Sequence, residues 1–366
     1  MSFKTPYSFG DTFTIRVFGS SHGSCVGVEI NGCPKGISVT KKDVQLQLDR
    51  RKPAQSIFTT QRRESDVVEI KSGIIRGKTT GQRILMQIKN QDVRPSDYSQ
   101  FEQMPRPGHA DYPALIKYGK LESGSGIFSG RMTASFVMAG SVAKQLLKKD
   151  GILTMAFMRS IGKVRLARDP SDKEVLFNTY KSQVRCPDTS TSKRMEEEVK
   201  RAMLDNDSVG GVVECRIVGM PPGLGEPMFG SIESKISSAI FAIPAVKGIE
   251  FGKGFEASKM RGSKHNDQYT ISGKKIVTKT NNAGGILGGL STGMPITFRV
   301  AFKPTSSIYS PQKTIDLKEM KETTLRIIGR HDPCIAIRAV AVVENVAAIC
   351  IADILLSEKR NKRPII

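Results

Sequence analysis

The sequence has no tryptophan, only four histidines and an aromatic content of 6%. So few aromatic side chains argue against a stacking platform for single-stranded nucleic acid. The six cysteines form no CxxC pair and are irregularly spaced, which argues against a zinc ribbon or a small disulfide scaffold. We therefore expect reduced, mostly buried thiols.

The sequence also lacks a long uncharged apolar run. Residues 1–13 contain Lys4 and Asp11 and have no apolar core of the kind that a secretory signal needs. The most apolar stretch, residues 339–356, is interrupted by Glu344 and Asp353, so it falls short of a membrane span. We expect a cytoplasmic protein with no membrane partner.

Positive charge is what the sequence has in excess. Its 366 residues include 56 Lys and Arg against 35 Asp and Glu, a formal net charge of +21. Such an excess serves either nucleic-acid binding along a surface or pockets for small, highly anionic ligands. No zinc-finger spacing, RNP-type aromatic pattern or heptad-linked basic region is present, and the basic residues 359–363 are typical of a solvated end. We therefore expect a small-molecule ligand and no nucleic-acid partner.

Hydrophobic patterning predicts an α+β protein. Alternation predicts strands at residues 26–30, 84–88, 212–218 and 296–302. Helical periodicity predicts helices at residues 136–149, 195–204 and 232–243, and a long one in the Ala/Val-rich C-terminal segment. Because these elements do not alternate as βαβ units, a sandwich is favoured over a doubly wound parallel sheet.

Two short turns resemble each other. Residues 32–37 and 219–224 are both rich in glycine and proline, follow a strand and lead into a helical segment. The pattern predicts one domain, residues 1–366, built from two similar halves at about 1–185 and 186–366. Chance agreement of a short turn is the alternative.

Three of the four histidines lie in loop-like contexts rich in glycine, arginine or aspartate: His22, His109 and His331. Imidazole titrates near neutral pH, so these residues are candidates for proton transfer. No HxxxH or HxH spacing and no accompanying carboxylate cluster is present, so we expect no metal site.

Arginine and glycine accompany these histidines. Arg51, Arg62, Arg106, Arg131 and Arg330 lie in or near the same motifs, and guanidinium groups bind phosphate and carboxylate in bidentate geometry. The glycine-rich residues 281–293 would let backbone N–H groups approach a flat or phosphorylated ligand, although they form neither a Walker A nor a Rossmann motif. Residues 303–307 add an ammonium group and hydroxyls. The residues thus indicate an enzyme with histidine acid/base groups and multiply anionic ligands.

Together the motifs resemble the chorismate synthase family over nearly the whole chain. The matching segments, in order, are GSSHG at 19–23, TTQRRE at 59–64, RPGHADY at 106–112, SGRMTA at 129–134, AVKGIEFGKGF at 245–255, NNAGGILGGLSTG at 281–293, KPTSS at 303–307 and GRHDPC at 329–334.

The resemblance implies a β-α-β sandwich with a helical layer between two antiparallel sheets, assembled as a homotetramer. It implies the 1,4-anti elimination of phosphate from 5-enolpyruvylshikimate 3-phosphate to give chorismate. The family requires reduced FMN although the reaction has no net redox change. Some members reduce the flavin themselves, which makes NADPH a candidate reductant.

The resemblance also implies roles for individual residues. His22 would donate a proton near the leaving phosphate, His109 would manage protonation of the reduced flavin, and Asp332 would assist at flavin N5. The implied substrate-binding residues are Ser21, Arg51 and Arg131. The implied FMN contacts are Ser129, Ala245, Gly288, Lys303, Pro304, Thr305, Ser306, Ser307 and Arg330, the last of which would also clamp anionic groups.

The chain departs from the family pattern at several positions near these motifs. The family usually has an acid where this chain has Ser20 and Met132, and basic or polar residues where it has Ile57, Ile127 and Phe128. These changes would retune affinity for flavin or substrate. A homologue that binds its ligands with weakened turnover is therefore the alternative to a fully active enzyme.

Overall fold

The computed structural model describes residues 5–60, 62, 64–91, 100–327, 329 and 331–360. These ranges contain eight α-helices: α1 (Lys41–Arg51), α2 (Asp111–Tyr118), α3 (Thr133–Lys149), α4 (Asp172–Asn178), α5 (Thr189–Leu204), α6 (Ile232–Ile240), α7 (Gly262–His265) and α8 (Ala336–Arg360).

The same ranges contain eighteen strands: β1 (Ser8–Phe9), β2 (Thr14–Gly19), β3 (Cys25–Asn31), β4 (Val68–Ser72), β5 (Ile74–Ile75), β6 (Lys78–Thr79), β7 (Ile84–Lys89), β8 (Leu153–Ile161), β9 (Val164–Arg165), β10 (Gly211–Val218), β11 (Val246–Phe251), β12 (Tyr269–Ser272), β13 (Lys275–Thr278), β14 (Ile286–Leu287), β15 (Leu290–Ser291), β16 (Ile296–Phe302), β17 (Gln312–Asp316) and β18 (Lys321–Leu325).

Ten of the strands form two five-stranded antiparallel sheets. The first sheet has the order β1-β2-β3-β7-β4, and the second has the order β11-β16-β10-β8-β9. Helices α1, α3, α6 and α8 pack between them: α3 contacts β2 and β3, α8 contacts β8 and β10, and α3 contacts α8. This confirms the predicted α+β sandwich with a helical layer between two antiparallel sheets.

Local sequence explains why these elements form. In β16 the side chains of Ile296, Phe298, Val300 and Phe302 are buried, and the residues between them are only half-buried. Helix α1 begins with a capping box in which the Thr40 hydroxyl and the Asp43 carboxylate each accept a hydrogen bond from the other's backbone N–H.

Helix α8 is the most buried long element. It is long and apolar enough to cross a membrane, but its apolar stretch is wholly buried inside the protein. Its contact with α3 is close at Gly140, where an added Cβ would lie 2.3 Å from the Cβ of Asn345. All six cysteines are free, and five of them are buried, as predicted.

The buried carboxylate of Asp353 on α8 anchors the segment that precedes β2. Its Oδ1 accepts hydrogen bonds from the backbone N–H groups of Asp11, Thr12 and Phe13 at 2.9, 2.7 and 3.0 Å. The ammonium group of Lys235 on α6 donates to its other oxygen at 3.0 Å. One polar residue of the predicted apolar segment thus joins α8 to the segment that precedes β2 and to α6.

The predicted elements are present, with some differences at their ends. Strand β16 matches its predicted bounds, and β3, β7 and β10 match to within one residue. Helices α3 and α5 begin three and six residues earlier than predicted, at Thr133 and Thr189, because polar residues of the first turns carry no hydrophobic period. Helix α6 ends at Ile240 rather than at residue 243, because residues 241–245 turn toward the cavity described below.

The Gly140 contact yields a stability prediction. Replacing Gly140 with Ala gains about 1 kcal/mol of helix propensity, but the added methyl group collides with Asn345 on the facing helix. Because a well-packed core does not absorb such a group, we expect a net loss of about 1–3 kcal/mol in the free energy of unfolding.

Urea denaturation of Gly140→Ala measures this loss. Gly262→Ala is the matched control, because an added Cβ there meets only the Asn266 side chain at 3.9 Å. Equal unfolding midpoints for the two variants would contradict the proposed packing.

Candidate active site

A cavity of about 650 Å³, here called the main cavity, lies where several loops meet beside the helical layer. Its walls come from the end of α1, the loops before and after α2, the start of α3, the α6–β11 connection, the residues after β16 and the start of α8. These segments are far apart in sequence. The antiparallel order of the sheets and the α3–α8 contact bring them together.

The main cavity collects most of the residues that the sequence motifs single out. Those that line it are Arg51, His109, Ser129, Arg131, Ala245, Lys303, Pro304, Thr305, Ser306, Ser307 and Asp332. Ser21, His22 and Gly288 do not line it. Arg330 lies outside the described residues.

A three-residue arrangement fixes His109. The Nδ1 atom of His109 lies 2.7 Å from Asp111 Oδ1 and 3.1 Å from Arg106 Nη2. An ionised carboxylate only accepts, so the shorter contact assigns the proton to Nδ1, which donates to Asp111. The guanidinium of Arg106 is also a donor, so its 3.1 Å approach to Nδ1 is a contact without a hydrogen bond. This assignment leaves Nε2 as the basic nitrogen of the ring, and it makes Asp111 the residue that orients His109.

Asp111 is a functional residue that the sequence interpretation missed. Arg106 donates to both of its oxygens, each at 2.7 Å. Burial alone would raise the pKa of Asp111, but the hydrogen bonds from Arg106 and His109 hold that pKa well below its ordinary value. Its position two residues after His109 in the RPGHADY motif is the sequence signal that could have identified it.

Arg51 and Arg131 line the main cavity but are bound on their protein side. Both donate to the fully buried carboxylate of Asp66, at 3.1 and 2.5 Å. Arg51 also donates to the carbonyl of Gly130 at 2.7 Å, and Arg131 donates to the side-chain oxygen of Asn90 at 2.7 Å. Because their N–H groups are already engaged by the protein, these arginines act on a ligand mainly through their fixed positive charge. They offer it few free hydrogen-bond donors.

Asp66 belongs to no recognised motif, and only the structure reveals its role. It has a positive φ of 48°, an uncommon backbone conformation for a residue other than glycine. Burial, followed by the cation of Arg338, lowers the pKa of Arg51, and the charge of Asp66 opposes that shift. Arg51 remains protonated at neutral pH.

Two lysines, Lys247 and Lys303, also line the main cavity. Lys303 donates to the carbonyl of Gly108 at 2.8 Å and to the hydroxyl of Ser306. Burial, followed by the nearby cation of Lys247, lowers the pKa of Lys303. Neither lysine has a carboxylate partner among the described residues, so both are available to an anionic ligand.

Asp332 is held by its neighbours. Its Oδ1 accepts a hydrogen bond from the backbone N–H of Thr60 at 2.9 Å, and its Oδ2 accepts one from Arg338 at 2.7 Å. Any reaction in which this carboxylate takes up a proton must therefore compete with an ion pair.

His331 and Thr305 present unpartnered polar atoms at the main cavity. Within the described residues, His331 Nε2 and Thr305 Oγ1 are buried and have no hydrogen-bond partner. Burial, followed by the cation of Arg106, lowers the pKa of His331 to about 4, against the opposing charge of Asp332. His331 is therefore neutral at pH 7. Unpaired buried polar atoms are costly, and a ligand that bonds to them removes that cost.

Ala245 occupies a strained position in the same wall. Its φ of 72° lies in the left-handed region, which favours glycine, and its carbonyl accepts a hydrogen bond from Lys303 N–H at 2.9 Å. Apolar side chains on α8, including Ala339 and Val342, line the cavity nearby. A flat ring system would find an apolar surface here next to polar groups.

The remaining predicted residues lie behind or away from the main cavity. Ser21 is fully buried, and its hydroxyl is 3.4 Å from Nη1 of Arg62, which lines the cavity. His22 is half-buried in the turn between β2 and β3. Gly288 is exposed between β14 and β15. The glycine-rich segment thus forms a hairpin and contributes no residue to the cavity wall.

A smaller chamber of about 240 Å³ lies next to the main cavity, and His109 lines both spaces. Ile127 and Phe128, where the family commonly has a basic and a polar residue, also line both. Phe101, which packs 4.4 Å from the Arg106 guanidinium, adds to its apolar wall. Two of the sequence departures therefore lie in direct contact with the site.

Comparisons with known proteins show which family the chain resembles. A family described as chorismate synthase matches residues 13–356. The chain is 47% identical to a chorismate synthase of Dehalococcoides mccartyi over 351 residues, which are 95% of this chain and 96% of that protein. It is 48% identical to a chorismate synthase of Pyrococcus abyssi over 349 residues, 95% of this chain and 97% of that protein.

A solved structure agrees with the fold as well. A crystal structure of chorismate synthase superposes with a TM-score of 0.76 at 28% identity, covering 95% of this chain and 93% of that chain. These matches extend over nearly the whole length of both partners.

The buried His331 yields a pH prediction. Unfolded, its pKa is near 6.5, whereas folding lowers it to about 4. Between these values the folded state binds fewer protons, so the free energy of unfolding falls as the pH drops from 7 toward 4. The expected contribution is a loss of about 2.5 kcal/mol between roughly pH 8 and pH 4.5.

Denaturation of the parent and of His331→Gln across this range measures that loss. The variant has no titrating imidazole there, so its stability should fall less on acidification. His265→Gln, on α7 away from the main cavity, controls for removal of a histidine. Parallel curves for the parent and His331→Gln would refute the assigned burial effect.

Proposed function

The chain belongs to the chorismate synthase family, and from that premise we propose that reduced FMN and 5-enolpyruvylshikimate 3-phosphate share its main cavity. Membership makes the chain a carbon–oxygen lyase that acts on a small-molecule substrate in aromatic amino acid biosynthesis. The reaction is the elimination of phosphate to give chorismate. The alternative of a basic nucleic-acid-binding protein falls away.

The observation that carries the proposal is the charge of the cavity wall. Among the described residues, seven basic side chains line the main cavity and only two carboxylates do, Glu64 and Asp332. The substrate has two carboxylates and a phosphate, and FMN has a further phosphate. A wall with this excess offsets the cost of bringing several negative charges into one enclosed space. The basic residues are Arg51, Arg62, Arg106, Arg131, Lys247, Lys303 and Arg338.

The wall also suits a flavin. When bound, reduced FMN would supply electron density to the substrate and take up its C6 hydrogen. Thr305 and His331 offer unpartnered polar atoms, Lys303 offers a cation, and the α8 side chains offer an apolar surface. We propose that Ser129, Ala245 and residues 303–307 hold the cofactor, whereas Gly288 lies outside this wall.

Among the histidines, His109 has the strongest geometric support. Asp111 fixes its ring so that Nε2 is free to exchange a proton. We propose that this nitrogen manages the proton of the reduced cofactor. Asp332 would assist proton transfer at N5 of the cofactor. To do so it would have to loosen its ion pair with Arg338. His22 and Ser21 keep their proposed roles on the resemblance alone.

Other properties follow the family as proposals. We propose a homotetramer in the cytoplasm. NADPH is a candidate reductant, and an anaerobic assay with NADPH and oxidised FMN as the sole flavin source tests it.

We also propose that the chain consists of two similar halves. The elements β2, β3, α1, β4, β7 and α3 recur in the same order as β8, β10, α6, β11, β16 and α8. The corresponding strands also occupy corresponding places in their sheets, as β2-β3-β7-β4 and β8-β10-β16-β11. This correspondence favours a division between α3 and β8, near residue 150, over one at residue 185.

Anaerobic turnover tests the proposed function. The folded protein is mixed with 5-enolpyruvylshikimate 3-phosphate and chemically reduced FMN, and phosphate and chorismate are followed together. Equal amounts of both products are expected. Flavin binding without either product would indicate a weakened homologue and would overturn the proposal.

Replacing His109 with Ala removes the oriented imidazole. We expect turnover to fall by roughly 10²–10⁴-fold, the usual share of a general acid or base. His265→Ala is the matched control, since this histidine lies on α7 and does not line the main cavity. Unchanged turnover in His109→Ala would remove His109 from the mechanism.

A further inference from the structure

A cavity of about 320 Å³, here called the second cavity, shares no lining residue with the main cavity. It lies between α1, α3, α4 and β8, and Glu344 of α8 contributes to its wall. At the end of α1, Arg51 lines the main cavity and its neighbour Arg50 lines the second. The volume is near the lower end of the range for small-ligand sites.

Both carboxylates in the wall of the second cavity already have partners. Glu344 contacts the ammonium group of Lys144, accepts a hydrogen bond from the Tyr180 hydroxyl at 2.8 Å and lies 3.8 Å from Arg50. Asp43 caps α1, where it accepts the Thr40 N–H at 2.8 Å. Glu344 thus has cationic partners within the protein, and Asp43 is engaged in the helix cap.

The basic side chains of this wall exceed its carboxylates. Arg50 stacks on Tyr180, with its guanidinium carbon 4.0 Å from the ring centroid. Lys148 is exposed and has no carboxylate partner among the described residues. With the carboxylates engaged, the remaining charge favours an anion.

A buried hydroxyl inside the wall lacks a partner. Thr154 is 3% exposed, and within the described residues its Oγ1 has no hydrogen-bond partner. Ser141 lines the same cavity, but its hydroxyl donates to the Met138 carbonyl at 2.7 Å. Since nearly all buried polar groups are paired, the Thr154 hydroxyl calls for a bonding group from outside the protein.

Apart from the amide side chains of Gln47 and Gln145, much of the rest of the wall is apolar. Buried side chains from the end of α3, the start of β8 and α4 face this space; they are Leu147, Ile152, Met155, Ala156 and Val175. An inorganic ion would leave this surface against water, whereas a ligand with an apolar body covers it. The wall thus combines a small excess of positive charge, one unpartnered hydroxyl and an apolar surface.

We propose that the second cavity is a binding site for a small organic monocarboxylate with an apolar body. The carboxylate lies toward Lys148, and a ligand oxygen bonds to the Thr154 hydroxyl. This site is independent of the proposed reaction, because none of its residues lines the main cavity.

The test is ¹⁹F NMR titration of the full-length protein with 4-fluorobenzoate as probe. The parent should bind the probe saturably. Lys148→Glu should weaken binding about tenfold, because it places a like charge beside the carboxylate. Lys149→Glu is the matched control: it makes the same charge change one residue along α3, outside the cavity wall.

A second variant tests the interior of the site without changing charge. Thr154→Val keeps the shape of the side chain and removes its hydroxyl, and it should weaken probe binding several-fold. Lys303→Gln, in the main cavity, should leave probe binding unchanged. Circular dichroism of each variant confirms its fold.

Three results would overturn the proposal. The first is no saturable binding up to roughly 10 mM probe, a very weak affinity. The second is equal weakening by Lys148→Glu and Lys149→Glu, which would indicate only general attraction to a basic surface. The third is loss of binding in Lys303→Gln with none in Thr154→Val, which would place the probe in the main cavity.

Discussion

The close contact between α3 and α8 is the constraint on which the rest of the structure depends. Each helix covers one sheet, and the absence of a side chain at Gly140 lets α8 approach at Asn345. Thr133, at the start of α3, and Ala339, near the start of α8, line the main cavity. Lys144 and Glu344, next to the crossing point, line the second cavity. The same pair of helices therefore contributes walls to both cavities.

Buried carboxylates connect segments that are remote in sequence. Asp66 joins Arg51 to Arg131, and Asp332 joins the segment at Thr60 to α8. Removing one partner of such a pair leaves an uncompensated charge, which is why these contacts constrain the loops strongly. The protein thus uses its few acidic side chains near the main cavity to position basic ones, and the basic side chains set the field that a ligand meets.

Much of the fold was predictable because its elements carry strong local signals. Period-two alternation located β16 to the residue, and the apolar period located α3. A helix whose first turn is polar carries no such period at its start. The hydrophobic pattern therefore predicts a start for α5 six residues after the actual one at Thr189. The pairing of strands into two sheets came from the family resemblance, since single-sequence patterns contain no information on which strands pair.

The candidate site was predictable where chemistry lies in motifs. His109 and residues 303–307 line the main cavity as the motifs indicated. Asp66 was not predicted, because its role depends on Arg51 and Arg131, which only the folded structure brings next to it. The glycine-rich hairpin lies outside the wall of the main cavity, and its predicted contact with the cofactor stays a prediction. Glycine density indicates tight backbone turns equally well, and positive φ values at Gly284, Gly285 and Gly288 accompany that use here.

The hydrogen bonds that Asp353 accepts from residues 11–13 have a consequence for how the chain folds during its synthesis. The backbone donors of Asp11, Thr12 and Phe13 acquire their native acceptor only from a residue more than 300 positions later. Because a chain is synthesised from its N-terminus onward, β2 emerges from the ribosome long before α8, the helix that anchors the segment preceding β2. The segment before β2 must therefore remain without its native anchor until α8 has been synthesised.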